Sequence, residues 1–196
     1  MTMAKVTGEL GNDFCPQSLF LYGTKRADGT PNFGLFSWFS YVWNDGLGVM
    51  ACIGEEKLTK DLIRKNGSFS ANLVTEALLP LADYYGCTSG RLKKDKMKRL
   101  PTVEWGQVLD VPTIAESPVS FELEVVQTVP LSEGSDLFIC RIRNVLIEES
   151  LKDEAVPFID RLLQAAPIVS SGEESYISVD GRFLGHWGEP MQTLSE

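Results

Sequence analysis

Asp-Gly pairs recur along the chain, at 28–29, 45–46 and 180–181, with Glu133-Gly134 as a weaker relative. Glycine tolerates the positive φ of a tight hairpin turn, and aspartate is among the few other residues that accept it. These pairs lie between β-rich apolar runs, among them 18–24 (SLFLYGT), 32–42 (NFGLFSWFSYV) and 47–53 (LGVMACI). Segment 118–126 alternates, with Val119, Phe121, Leu123 and Val125 on one face and Ser120, Glu122 and Glu124 on the other. Segment 137–145 does likewise, Phe138, Cys140 and Ile142 opposing Arg141 and Arg143. A last hairpin is expected from 176–179 and 182–184. Hairpins this closely spaced favour a mainly β barrel over βαβ layers. Three short helices are expected around it. One covers 60–66, with Thr59 as N-cap and Gly67 as the C′ residue. The second runs near 80–86, and the third spans 157–166 and is stopped by Pro167. No linker or internal repeat interrupts the chain, so one domain over 1–196 is expected.

The chemistry of such a frame is narrowed by what the chain lacks. It has a single histidine, His186, and no G-x-S-x-G, H-E-x-x-H, G-x-x-x-x-G-K-[ST] or G-x-G-x-x-G. Hydrolases, metalloenzymes, kinases and Rossmann dehydrogenases lose ground, and an enzyme built this way would borrow its chemistry from a cofactor. His186 reads as a surface or core residue. Cysteines at 15, 52, 87 and 140 form no close pair, which reads as reduced cytosolic thiols and offers no local zinc spacing. Cys52 reads as a small apolar core residue. The formal net charge of -9 repels nucleic-acid backbones and anionic lipid. The basic cluster at 91–99, with Lys93, Lys94, Lys96 and Lys98, reads as a solvated face because no aromatic platform is interleaved. No apolar run approaches the roughly 20 residues of a membrane helix, and 1–10 has no apolar core of signal-peptide type.

Segment 33–42 breaks the period-2 rule. Odd positions carry Phe33, Leu35, Ser37, Phe39 and Tyr41; even ones carry Gly34, Phe36, Trp38, Ser40 and Val42. Neither face is charged, so something apolar must cover the outward side. A planar ring system such as isoalloxazine would suit, with Ser37 and Ser40 hydrogen-bonding its edge; a second subunit would serve equally. Next, Ile53-Gly54-Glu55-Glu56-Lys57-Leu58-Thr59 runs off a strand into a helix start. Free N–H groups, a lysine and a threonine hydroxyl suit a phosphate, although a plain capped helix has the same pattern and three nearby acids weaken the field.

With these segments in place, the chain resembles the flavin reductase-like family of FMN-binding split barrels, which includes the flavoredoxins. The resemblance rests on order: Leu19-Phe20-Leu21-Tyr22-Gly23-Thr24, the Asp28-Gly29-Thr30-Pro31-Asn32 turn, Phe36-Ser37-Trp38-Phe39, a strand into Gly54-x-x-Lys57-x-Thr59, then Phe69-Ser70-Ala71-Asn72. Segment 180–185 resembles the family's closing hairpin. The resemblance implies a mainly β, FMN-binding split β-barrel with Greek-key character and a few short peripheral helices. It implies a homodimer binding FMN, with FAD the lesser choice. Asn32, Phe36, Ser37, Trp38 and Ser40 would line the ring and ribityl chain, Ile53, Gly54, Lys57 and Thr59 the phosphate end, and Asn72 would close the pocket. Tyr176 and Trp187 would cover the flavin or pack in the core. The implied activity is a cytoplasmic oxidoreductase taking electrons from NAD(P)H or a redox protein, with no protein acid or base required. The alternatives are a non-enzymatic electron carrier and a dimeric barrel without flavin.

Overall fold

The computed structural model describes residues 4–12, 14–93, 95–132, 134–172, 175–186 and 189–190; Lys94, Glu133 and Trp187 lie outside the described residues. The strands are β1 (Gln17–Ser18), β2 (Phe20–Lys25), β3 (Pro31–Phe36), β4 (Phe39–Trp43), β5 (Leu47–Ile53), β6 (Ser68–Leu73), β7 (Val103–Trp105), β8 (Pro112–Ile114), β9 (Val119–Ser132), β10 (Ser135–Ile147), β11 (Ile168–Ser171) and β12 (Ser175–Ser178). The helices are α1 (Leu58–Asn66), α2 (Leu79–Cys87) and α3 (Phe158–Ala165), with a 3-10 turn at Lys96–Lys98. Among the described residues no helix is long and apolar enough to cross a membrane.

Seven strands form one antiparallel sheet in the order β3-β2-β6-β9-β10-β5-β4. The inward residues of its middle strands meet in one cluster: Tyr22, Val49, Ala51, Phe69, Leu123 and Phe138. Both edge strands join that cluster. Phe36 of β3 stacks on Tyr22 at 4.7 Å, and Phe39 of β4 lies 4.3 Å from Phe20. Strands at opposite ends of the order thus share one interior, so the sheet is rolled into a split barrel.

The single ribbon expected over 32–42 is therefore two strands. The chain turns at Ser37-Trp38, where Phe39 N–H donates to Ser37 O at 2.9 Å and Cys52 N–H donates to Trp38 O at 3.0 Å. An unbroken strand would put Phe36 and Phe39 on opposite faces. The corner lets both rings enter the barrel. The apolar outer face of β3 is covered by the chain's own α2, where Leu21, Phe33, Ala82 and Tyr85 form a second core. Of the two strands, β4 is the one that leaves large apolar groups exposed, Tyr41 at 57% and Trp43 at 80%.

Two further expectations are corrected. Helix α1 starts two residues earlier than expected, with Lys57 rather than Thr59 at the N-cap, and Thr59 turns inward to accept a hydrogen bond from Asn32. Gly67 closes it in the left-handed region, φ 67°, as expected. The hairpin of 176–179 with 182–184 does not form among the described residues. Strand β12 pairs instead with β11, and β11 with β1; Phe183 and Leu184 are exposed.

The outer face of β6, β9 and β10 carries Asn72, Ser120, Glu122 and Asn144, buried or half-buried beneath the 106–114 segment. Glu122 is fully buried. It accepts hydrogen bonds from the N–H groups of Gln107 (2.8 Å), Val108 (2.9 Å) and Leu109 (2.6 Å) and from Asn144 Nδ2 (2.8 Å). One carboxylate thus organises a whole loop.

Candidate functional site

Strand β3 is the spine of the site. Asn32 at its start is buried, and its Nδ2 donates to Thr24 Oγ1 and to Thr59 Oγ1, each at 3.0 Å. Both Asn32 donors are committed. Thr59 Oγ1 accepts this bond and, as a hydroxyl, keeps a proton to donate. Gly34 makes the approach of α1 feasible: a Cβ there would lie 2.8 Å from Thr59 Oγ1 and 2.9 Å from the Phe36 ring. Gly34→Ala is expected to lower stability by about 1–3 kcal/mol by overpacking, measured by chemical denaturation; a neutral result would show that α1 can shift away freely.

Three cations gather around this end of β3. Arg26 follows β2, whose Thr24 pairs with Asn32. Lys57 stands at the α1 N-cap, half-exposed and 2.8 Å from Glu55 Oε2. Lys96, on the 3-10 turn packed against β3, is buried and donates to Tyr85 O at 2.9 Å, its ammonium 5.5 Å from the Tyr85 ring. Burial, then the charges of Arg26 and Lys57, lower Lys96 to about 8. Arg26 Nε is buried with no hydrogen-bond partner among the described residues. A buried donor left unpaired is costly, and three like charges at one end of β3 make this a candidate anion cradle.

The loop before α1 is pinned by Lys60, which is fully buried. Its ammonium donates to Glu55 O at 2.6 Å and to Gly134 O, tying the loop to the β9–β10 turn. Glu55 holds a positive φ of 58° there. The segment around 90 closes over the cradle, with Gly90 against Leu58 and Asn32, and Arg91 paired with Glu56 and Asp61.

At the other end of β3 lies a cavity of about 390 Å³, lined by Leu35, Phe36, Ser37, Asp83, Cys87 and Tyr176 among others. The Tyr176 hydroxyl donates to Asp83 Oδ1 at 2.8 Å. Tyr176 therefore stands where a ring held at Phe36 and Ser37 would meet it.

The structure brings Asn32, Lys57 and Thr59 together at one end, and Phe36 and Ser37 at the other. Trp38, 53% exposed, is at the corner itself. Ser40 is exposed on β4 beside Met50, on the opposite sheet edge. The Ile53 side chain points into the barrel core, so only its backbone and that of half-buried Gly54 face outward chemistry. Asn72 is a strut: it donates to Leu21 O and Ser70 Oγ and accepts from Ile114 N–H and Ser120 Oγ, which fills its capacity. Cys52, expected in the core, is half-buried, and burial and the Asp136 charge raise its thiol pKa and so disfavour the thiolate. His186 is exposed, its ring against Phe183 at 4.9 Å. Arg26 and Lys96 are the site residues that sequence reading missed. Lys96 sat in a cluster read as a solvated face, and Arg26 carried no local signal.

A family model described as flavin reductase-like domain matches residues 12–166. Among solved structures, a flavoredoxin from Methanosarcina acetivorans is 23% identical with a TM-score of 0.85, covering 98% of this chain and 100% of its own. A flavoredoxin of Desulfovibrio vulgaris is 25% identical with a TM-score of 0.78, covering 96% and 98%. An FMN-binding protein from Thermus thermophilus is 22% identical with a TM-score of 0.74, covering 95% and 100%. No curated protein matches the chain.

Proposed function

The chain belongs to the flavin reductase-like domain family, and from that premise we propose that it holds FMN along β3 and works as an oxidoreductase of the flavin reductase or flavoredoxin type. The observation that carries this reading is the cradle of Arg26, Lys57 and Lys96 with the orphaned Arg26 Nε. These groups and the Thr59 hydroxyl fit a phosphate dianion. Asn32 and Phe36 are four residues apart on one strand, about 13 Å at roughly 3.3 Å per residue. That separation suits a ribityl chain between a phosphate and a ring lodged at Phe36, Ser37, Trp38 and Tyr176. Asn32 orients Thr59 rather than touching the ring.

Bound FMN would supply hydride and electron transfer, accepted from NAD(P)H or a redox protein and passed to a further acceptor. The chain's part is to fix the phosphate, shape the apolar slot and keep water from it. It needs no general base, which agrees with its single histidine. Exposed Tyr41, Trp43 and Leu47, on one face of the β4–β5 hairpin, form an apolar patch suited to a second copy of this chain. Four free cysteines suit a reducing cytoplasm. A carrier that only relays electrons is the second reading, favoured by the neighbours whose names are flavoredoxin.

Lys57→Ala is expected to weaken FMN about tenfold while leaving riboflavin affinity and thermal unfolding of the flavin-free protein unchanged. Fluorescence titration with both flavins checks this, and an unchanged FMN affinity would remove the phosphate from this cradle. Anaerobic titration with NADH and then NADPH separates enzyme from carrier: bleaching of bound flavin without a partner makes it an enzyme.

A further inference from the structure

Lys60, in the first turn of α1, breaks two local rules at once. A cation there opposes the helix macrodipole, and a lysine with no exposed surface has given up its hydration. An apolar side chain would suit that space, as fully buried Ile63 does three residues on. The compensation lies in two carbonyls. The ammonium donates to Glu55 O at 2.6 Å and to Gly134 O, while its ion-pair partner, Glu56 Oε1, stands 3.7 Å away.

Those two bonds shape the loop ahead of the helix. Glu55 stands at φ 58°, a conformation that glutamate rarely adopts, with its carbonyl turned inward onto the buried ammonium. Across a trans peptide the N–H lies opposite the C=O, so the Glu56 N–H is turned away from Lys60. The helix start beyond it is open. Lys57 makes no side-chain cap, and among the described residues the N–H groups of Glu56, Leu58 and Thr59 have no acceptor. A left-handed residue beside successive free N–H groups is a backbone arrangement that suits an anion. We infer that Lys60 is a positioning residue for the FMN phosphate. It does not touch the anion; it holds Glu55 O inward, so that the Glu56 N–H and the open start of α1 are presented to the phosphate beside Lys57. This rests on the FMN reading above and adds backbone donors to it.

Fluorescence titration of the full-length protein with FMN and with riboflavin reads phosphate recognition as the ratio of the two affinities. Lys60→Met removes both carbonyl bonds and keeps the length of the side chain. It is expected to lower that ratio about tenfold, leave riboflavin affinity unchanged and shift the phosphorus NMR resonance of bound FMN. In the Lys60→Met background, Glu55→Asn should recover more of the ratio than Glu55→Gln. Both remove the same charge, but asparagine better tolerates the left-handed region. Lys60→Gln, which keeps a donor in the buried space, should lower the ratio by a smaller factor and answers the question should Lys60→Met fail to fold. A ratio unchanged in the variant that folds would overturn the role of Lys60 and leave the FMN reading standing, and so would parallel losses for both flavins. A wild-type protein that binds FMN no better than riboflavin would overturn the phosphate site itself.

Discussion

Glu122→Ala is expected to lower the free energy of unfolding by about 3–5 kcal/mol, since each buried donor left unpaired costs about 1–3 kcal/mol. The carboxylate is fully buried and receives three successive backbone N–H groups and one amide. Removing it orphans all four donors beneath the 106–114 segment. Glu122→Gln should recover part of the loss, because its oxygen still accepts while its NH₂ faces other donors. The same residue makes stability depend on pH. Burial alone would raise its pKa, but the hydrogen bonds from Asn144, Leu109, Val108 and Gln107 outweigh burial and bring it below the usual 4.5. A carboxylate depressed on folding stabilises above its unfolded value and loses that contribution as pH falls through the folded one. Urea denaturation at neutral and acid pH should show the gap between wild type and Glu122→Ala closing on acidification. A loss under about 1 kcal/mol at neutral pH would mean that the loop is held by something else.

FMN affinity should fall as pH rises past about 8, where Lys96 loses its proton in the flavin-free protein. One linked proton changes affinity by at most tenfold per pH unit. The drop from pH 7 to 9 should therefore be about tenfold, while riboflavin, lacking the phosphate, stays level. The FMN phosphate is already a dianion across that range. Lys96→Met should weaken FMN about 10- to 100-fold at pH 7 and flatten the profile. A slope that persists in Lys96→Met would place the titrating group elsewhere. For folding itself the sign is opposite: a lysine depressed on folding adds stability as pH climbs from about 8 toward 10.5.

Local signals carried most of the fold. The Asp28-Gly29 and Asp45-Gly46 turns join β2 to β3 and β4 to β5, with Gly29 and Gly46 at positive φ. The alternation around 118–126 and 137–145 identifies β9 and β10, which pair in antiparallel register. What stayed hidden depends on distant partners. The corner at 37–38 exists because two rings three residues apart seek one interior, a demand set by Tyr22 and Phe20 on another strand. Glu122 reads as a solvated residue of an alternating strand until the 106–114 segment folds over it. Lys96 reads as one charge in a basic run until burial sets it apart, and Arg26 opens a turn like any other. Asn72 shows the converse: family position put it in the pocket, whereas its four hydrogen bonds make it a brace.

The corner at Ser37-Trp38 also separates two kinds of constraint. On either side of it, ladder bonds tie each backbone position to a fixed register, and a slip of one residue would turn a whole face inside out. At the corner only two backbone contacts act, leaving side chains free to change with no cost to the frame. Mutation can therefore rewrite what the barrel presents to a ligand while the ladders stay intact. Neighbours sharing a quarter or less of their residues keep this architecture, as expected of a frame held by backbone ladders rather than by particular side chains.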